Sequence, residues 1–171
     1  SISYTYTEPT IFFEFAHDTG RLAREESLKN IFVTNGFMTQ EALETASPWL
    51  DAANVDLKSI RDEFYRRHCG AHLDPVLETL RGMKKRGIWV EVTTLVIPTL
   101  NDDEGELREI AAFIRSLGDD VPWHVSRFFP RYKTGGLPPT PVKTIDRALE
   151  IGRKAGLKHV YSGNVPGSES D

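Results

Sequence analysis

The feature that most restricts this chain is its rhythm. Short runs rich in β-branched and aromatic residues recur about 20 to 35 residues apart, with helix-compatible segments between them. Strands are read at Ser1–Tyr6, Asn30–Thr34, Asn54–Lys58, Ile88–Ile97, Trp123–Phe129 and His159–Tyr161. A helix capped by Thr10 is expected through about Glu26, with Phe13, Ala16 and Leu22 on its apolar side, and a second runs from a Thr39 cap through about Ala46. Further helices are expected over Ser59–His68, over Pro75–Arg86 behind Asp74, through about Leu117 behind Asn101-Asp102-Asp103, and over Thr144–Ala155. Asn35-Gly36, Gly70, Gly87, Pro98, Pro130 and Gly156 punctuate the pattern, and a basic loop rich in Gly and Pro runs from Arg131 to Pro141. Connections this long between strands are crossovers rather than hairpins. The expected fold is therefore α/β, one domain with a parallel sheet and helices outside, either an open sheet or a curved partial barrel. Right-handed crossovers bring the C-terminal ends of all strands to one rim, where ligands bind in such folds. The polar residues Glu8, Thr34 with Asn35, Asp56 with Lys58, Arg127 and Asn164 fall at those ends.

Asn54-Val55-Asp56-Leu57-Lys58 is the most informative strand. Alternation puts Val55 and Leu57 on one face and Asn54, Asp56 and Lys58 on the other. A face carrying a carboxylate and an amine does not belong in a plain apolar core, so it meets solvent or lines a site. The plainer reading is an edge strand with a cross-strand ion pair. As chemistry, Lys58 could be a Schiff-base nucleophile, or it could hold a ligand carboxylate while Asp56 takes hydroxyls or a cation. Glu8 could accept hydrogen bonds from a ligand amine, or simply be an acid at a helix N-terminus. Thr34-Asn35-Gly36 could offer hydroxyl, amide and bare backbone to a polar ligand, or simply be a turn.

Composition excludes several classes. A formal net charge of −4 on 171 residues gives no nucleic-acid footprint, and no apolar run approaches a membrane span. The single cysteine, Cys69, rules out a disulfide framework or a cysteine-built metal site within this chain and makes a reducing, cytoplasmic setting the default. Cys69 itself is expected to be a buried small apolar residue. Among the five histidines, His68 and His72 are four apart, but Gly70 between them argues against a shared helix and a metal site. No phosphate-cradling glycine motif occurs.

Thr7-Glu8-Pro9, Val33-Thr34-Asn35-Gly36-Phe37, Asn54-Val55-Asp56-Leu57-Lys58, Asp62-Glu63-Phe64 through Cys69-Gly70, and Val96-Ile97-Pro98 before Asn101-Asp102-Asp103 follow one another in this order. Together they resemble radical S-adenosylmethionine (SAM) enzymes of the pyruvate formate-lyase activating type. Ser3-Tyr4-Thr5-Tyr6-Thr7-Glu8-Pro9, Trp123-His124-Val125-Ser126-Arg127-Phe128 and Gly163-Asn164-Val165-Pro166-Gly167 resemble most closely the AmmeMemoRadiSam-system radical SAM group.

The resemblance implies a partial (β/α)6 barrel, a [4Fe-4S] cluster and S-adenosylmethionine, cleaved reductively to a 5′-deoxyadenosyl radical that abstracts hydrogen from a small-molecule or protein substrate. A flavodoxin or ferredoxin would supply the electron; nucleic acid and membrane are not implied as partners. Carried over by position, Glu8 matches the Glu of the family's G-G-E-P motif near the methionyl amine. Thr34 and Asn35 match the T-N-G segment that approaches the cofactor. Asp56 and Lys58 match the D-x-K motif near the methionyl carboxylate, the Asp also near a monovalent cation. A zwitterionic ligand suits such a set, a carboxylate for its amine and a cation for its carboxylate. The chain departs from the pattern at Tyr6-Thr7, where the family has paired glycines, at Val33, where activating enzymes often have Asp, and at Phe129, where they carry His.

The family's C-x-x-x-C-x-x-C cluster motif is absent from these residues. Since the chain also opens inside a strand pattern, it is expected to be a fragment lacking an N-terminal cluster-binding βα unit, inactive alone and a weak binder of S-adenosylmethionine. Two alternatives stand beside this: a cluster-free barrel lyase or aldolase using Lys58, and a non-catalytic binding module.

Overall fold

In the computed structural model, which describes residues 1–165 apart from the side chain of Lys133, six strands are joined by six α-helices, two of them between the third strand and the fourth. The strands are β1 Ile2–Tyr4, β2 Asn30–Thr34, β3 Ala52–Asp56, β4 Trp89–Val96, β5 Trp123–Arg127 and β6 Val160–Gly163. The helices are α1 Phe13–Glu25, α2 Gln40–Ala46, α3 Asp62–Phe64, α4 Asp74–Lys85, α5 Glu104–Leu117 and α6 Val142–Lys154, with α3 running on into a π-helical turn, Tyr65–Cys69. The strands follow one another in sequence order, β1 to β6, in one sheet, and the registered neighbours are parallel. The α/β fold with a parallel sheet is thus the one the strand spacing dictates. Pro166 and Gly167 of the expected glycine-rich terminal motif lie outside the described residues.

The chain divides into two compact units. The first comprises Ser1–Leu57 and Ala71–Glu91, the second Lys58–Gly70 and the residues from Val92 onward.

In the first unit, β1 registers on β2 (Tyr4 opposite Phe32) and β2 on β3 (Thr34 opposite Val55). Phe32, Leu43, Val55, Leu57 and Leu80 are fully buried, each contributing about 1.5–3 kcal/mol of transfer free energy. Trp49 packs among them with its indole N–H donating to His17 Nδ1 (2.9 Å) and the Thr45 carbonyl (3.0 Å). A Cβ on Gly20 would fall on the Trp49 ring, so this helical position needs glycine for closeness of approach. Buried Asn30 is fully used: it accepts from the Tyr4 hydroxyl and donates to the Gly20 and Trp49 carbonyls.

In the second unit β4, β5 and β6 register in parallel, with Thr94 opposite Val125 and Val125 opposite Ser162. Trp123 is fully buried, donates to Thr94 Oγ1 (3.0 Å), and stands 2.9 Å from where a Cβ on Gly152 would lie. Thr140, also fully buried, holds the loop before α6 in place. Its hydroxyl donates to the Val96 carbonyl (2.6 Å) and accepts from Phe128 N–H (3.1 Å), and its own N–H reaches the Phe128 carbonyl (3.0 Å).

Several expectations need correction. The cap at the first helix is Glu8, not Thr10: Glu8 accepts from Thr10 N–H and starts a 3-10 turn, Pro9–Phe12, that runs into α1. Ala16, Gly20 and Ala23 form the buried face of α1, which leaves Leu22 63% exposed. Asp74 lies inside α4, and Leu73 takes the cap position without a side-chain bond. The third strand begins earlier and ends at Asp56, because the Lys58 N–H turns to the Tyr65 hydroxyl (3.0 Å) and the Lys58 carbonyl to Asn101 Nδ2 (2.6 Å). The fifth strand stops at Arg127 because Thr140 takes both backbone groups of Phe128. Cys69 is exposed rather than buried, since it closes the π-helical turn just before Gly70 leaves in the left-handed region (φ 64°).

Candidate functional site

In the first unit, the residues after β1, at the end of β2 and at the end of β3 supply the rim. Glu8 is the hub. Thr34 donates its hydroxyl to Glu8 Oε1 (2.6 Å), and Asn35 N–H donates to Oε2 (2.7 Å). The same Oε1 takes the weaker Thr10 contacts, at 3.4 and 3.3 Å. Thr34 Oγ1 in turn accepts Gly36 N–H (3.1 Å), and Asn35 Oδ1 accepts Phe37 N–H (2.7 Å), so the turn is wound around its own side chains. Gly36 sits at φ 73° with a would-be Cβ 2.7 Å from Val55, which closes this turn to any larger residue. The half-buried Glu8 carboxylate is thereby fixed in orientation by neutral donors, and its remaining lone pairs stay available to an ammonium or hydroxyl ligand. Glu8 serves both as helix cap and as rim carboxylate, so the two readings open in the sequence hold at once. Asp56, half-buried, ends β3 one residue past Val55, the register partner of Thr34.

Lys58 belongs to the second unit. Its backbone is gripped on both sides, by Tyr65 and by Asn101, and Asn101 also donates to the Leu95 carbonyl (2.9 Å) and accepts Ile97 N–H (2.6 Å). By sequence, Asn101 is expected in a helix cap with Asp102 and Asp103. The cap is Asp103, which accepts from Glu106 N–H, and Asn101 is a buried connector. An Asn lying two positions ahead of a sufficient cap was the available signal. Close by, Ser59 donates to the buried Glu106 carboxylate, which also accepts Ile60 N–H (3.3 Å). Although Cys69 is exposed as a residue, partial desolvation of its thiol raises it above the ordinary thiol range, against the lowering effect of the Lys58 charge.

The same unit carries Arg127 at the end of β5 and Asn164 after β6. Arg127 Nε donates to the Thr140 carbonyl (2.6 Å), and its guanidinium lies 4.7 Å over the Phe129 ring. Asn164 Nδ2 donates to Ser126 Oγ (3.1 Å) and the Arg127 carbonyl (3.2 Å). Among the described residues no group of three or more His, Cys, Asp or Glu is placed to hold a metal ion, and no helix is long and apolar enough to cross a membrane.

The family model of the radical SAM superfamily matches residues 1–114, two thirds of the chain and the whole of the Glu8, Thr34, Asn35, Asp56 and Lys58 segment. The chain belongs to the radical SAM superfamily. It is 49% identical to an uncharacterized protein of Methanocaldococcus jannaschii over 171 residues, 99% of this chain and 50% of that protein. It is also 31% identical over 109 residues to the isethionate sulfite-lyase activating enzyme of Nitratidesulfovibrio vulgaris, 61% of this chain and 36% of that enzyme. The chain therefore spans about half the length, or less, of these relatives. Its fold is shared with a domain of pyruvate-formate lyase-activating enzyme from Bacteroides vulgatus, with a TM-score of 0.79 at 17% identity, over 95% of this chain and 98% of that one. A radical SAM methyltransferase from Sphaerobacter thermophilus has a TM-score of 0.72 at 18% identity, over 92% of this chain and 49% of that one. For a superfamily member, the departures noted in the sequence take a physical form. Tyr6, where the superfamily pattern has glycine, keeps a positive φ of 32° and turns its side chain to solvent, 96% exposed. Val33, in place of an Asp, is 41% exposed and offers no side-chain oxygen.

Proposed function

We propose that this chain provides the S-adenosylmethionine-binding part of a radical SAM enzyme of the activating-enzyme type. The observation that carries the reading is the Glu8 carboxylate, held by Thr34 and Asn35 on the strand rim of a superfamily member. The donor set fits the amino-acid end of the cofactor. Glu8 would accept its ammonium, in a carboxylate plane already fixed by uncharged donors, so little reorganisation is needed on binding. Asp56 adds a second anion at the end of β3 for a hydroxyl or a cation; the Lys58 amine, matched to the D-x-K motif by sequence position alone, is the corresponding candidate for the methionyl carboxylate. Thr34 and Asn35 act as positioning residues through Glu8.

The residues present do not fit the iron–sulfur cluster. A [4Fe-4S] centre is held by several thiolates, and the chain has one cysteine, on an exposed turn. No step is assigned to a cluster within these residues, and its ligands would come from polypeptide beyond them. For the whole protein, reductive cleavage of S-adenosylmethionine for hydrogen abstraction, with a small reducing protein such as a flavodoxin or ferredoxin as electron donor, is the corresponding proposal.

Calorimetric titration of the chain with S-adenosylmethionine tests this. Weak, saturable binding is expected, with Kd on the order of 1 mM. Micromolar binding would show that the residues present suffice without a cluster. Absence of binding at about ten times that concentration would remove the cofactor from this chain.

A further inference from the structure

A cavity of about 740 Å³ opens in the second unit at the ends of β5 and β6. Its walls include Leu95, Arg127, Phe129, Arg131, Thr134 and Asn164. The chain as a whole is acidic, with a net charge of −4, yet among the described residues the charged ones lining this cavity are both arginines. Among the described residues neither Arg127 nor Arg131 has a carboxylate partner.

Arg127 is held by more than chance. Its Nε–H is fixed on the Thr140 carbonyl, and Thr140 is itself fully buried and bonded to Val96 and Phe128. The Phe129 ring holds the flat of the guanidinium at 4.7 Å. This leaves the two terminal nitrogens, the half of the fork that matches a carboxylate or phosphate edge, without a hydrogen-bond partner among the described residues. Arg131 is anchored through its backbone, its N–H donating to Thr134 Oγ1 (3.0 Å) while its carbonyl accepts the same hydroxyl (2.6 Å), so its long side chain stays available. Asn164 spends its amide N–H₂ on Ser126 and Arg127, which leaves its oxygen as an acceptor. Phe129 and Leu95, 42% and 37% exposed, supply an apolar wall. Pockets of this size with a few convergent polar groups suit a small organic molecule.

We propose that this cavity binds a small organic anion, a carboxylate or phosphate carried on an apolar or aromatic body, with Arg127 and Arg131 receiving the charge and Phe129 the body. The site stands on the second unit alone; that the anion is the substrate of the radical chemistry rests on the function proposed above.

NMR titration of the chain with phenyl phosphate, with phenylacetate and with uncharged benzyl alcohol tests it, in wild type, R131Q and R127K. At least one anion is expected to shift the Asn164 side-chain amide and the Phe128 and Arg127 N–H signals, and benzyl alcohol to bind about tenfold more weakly or less. R131Q and R127K are each expected to weaken the anion by about tenfold, R127K because it keeps the charge and loses the fork. The Thr140 amide signal, unmoved in R131Q, reports that the loop remains folded. Equal binding of benzyl alcohol, unchanged affinity in both variants, or no saturable shift at these residues would overturn the site. If S-adenosylmethionine displaces the anion and is itself weakened by R131Q, the cavity takes the cofactor's carboxylate and the substrate assignment falls. If S-adenosylmethionine does not bind while phenyl phosphate does, the proposed function fails and the anion site stands.

Discussion

The two units solve the same packing problem in the same way and then diverge at their rims. In each, a helical glycine, Gly20 or Gly152, lets a buried tryptophan, Trp49 or Trp123, lie against the helix backbone. In each, the indole N–H is satisfied, by His17 and Thr45 in one and by Thr94 in the other. At the strand ends the likeness stops. The first unit presents a carboxylate, Glu8, already ringed by donors, whereas the second presents a guanidinium, Arg127, with one of its nitrogens, Nε, bonded among the described residues. The architecture repeats where burial dictates it, and the chemistry is set by which polar side chain ends each strand.

The packing half of this comparison gives the largest expected effects. Gly20→Ala is expected to destabilise by about 3 kcal/mol in urea unfolding, since the new methyl meets a ring that two hydrogen bonds hold still. Gly152→Ala is expected to cost less, about 1–2 kcal/mol, because the nearest ring atom is 2.9 Å away and Trp123 has a single hydrogen bond to give. Equal losses would contradict the ranking that the two approach distances set. Next comes Thr140→Val, which keeps the shape but strips Val96 and Phe128 of a buried partner, with an expected loss of about 2 kcal/mol. It is also expected to shift the Arg127 Nε–H signal; a silent Arg127 would show that the guanidinium is not held through Thr140.

The smallest effects are electrostatic. Asp51 in the first unit is pushed up by burial, but hydrogen bonds from Lys29 and Asn30 N–H, with the charges of Lys29 and Arg24, outweigh this and leave it below the usual carboxylate range. A depressed folded-state value means stability that is present above the unfolded value near 3.8 and lost as pH falls through the folded one. Asp51→Asn is therefore expected to flatten the acid limb of the stability profile below about pH 4 and to cost about 1 kcal/mol at pH 7, a partly exposed group being discounted for screening. Asp119 in the second unit is lowered chiefly by its hydrogen bond to Lys158 and its side chain is more open to solvent than that of Asp51, so Asp119→Asn is expected to change the acid limb less, and the change to vanish in high salt. A larger effect at Asp119 would reverse the ranking of the two.

What was legible in the sequence was local or periodic. The spacing of apolar runs carried the parallel sheet, Asn30–Thr34 was bounded correctly, and Thr39 and Asp103 signalled their helices because a cap acts within three residues of itself. The alternation in Asn54–Lys58 also held, with Val55 and Leu57 fully buried and Asn54, Asp56 and Lys58 half-buried. The misses share a cause. Thr140 reaches Val96 across 44 residues and Asn101 reaches Lys58 across 43, and no periodicity announces such bonds. Leu22 and Cys69 were read by residue type, whereas the angular position of Leu22 on α1 and the π-helical turn before Gly70 decided their exposure. At the rim, Glu8, Thr34 and Asn35 were legible as candidates from their places at strand ends, but that one carboxylate gathers the other two required the fold.

The central claim is that Glu8, held by Thr34 and Asn35, receives the amine of S-adenosylmethionine. The most direct measurement is the backbone amide signal of Asn35, which donates to Glu8 at 2.7 Å, followed during titration with the cofactor in wild type and in Glu8→Gln. The account expects a saturable shift of the Asn35 signal in wild type and an affinity about tenfold lower in Glu8→Gln, the loss of one charge-assisted hydrogen bond. An Asn35 signal that stays still at saturation, or an affinity unchanged by Glu8→Gln, would contradict it.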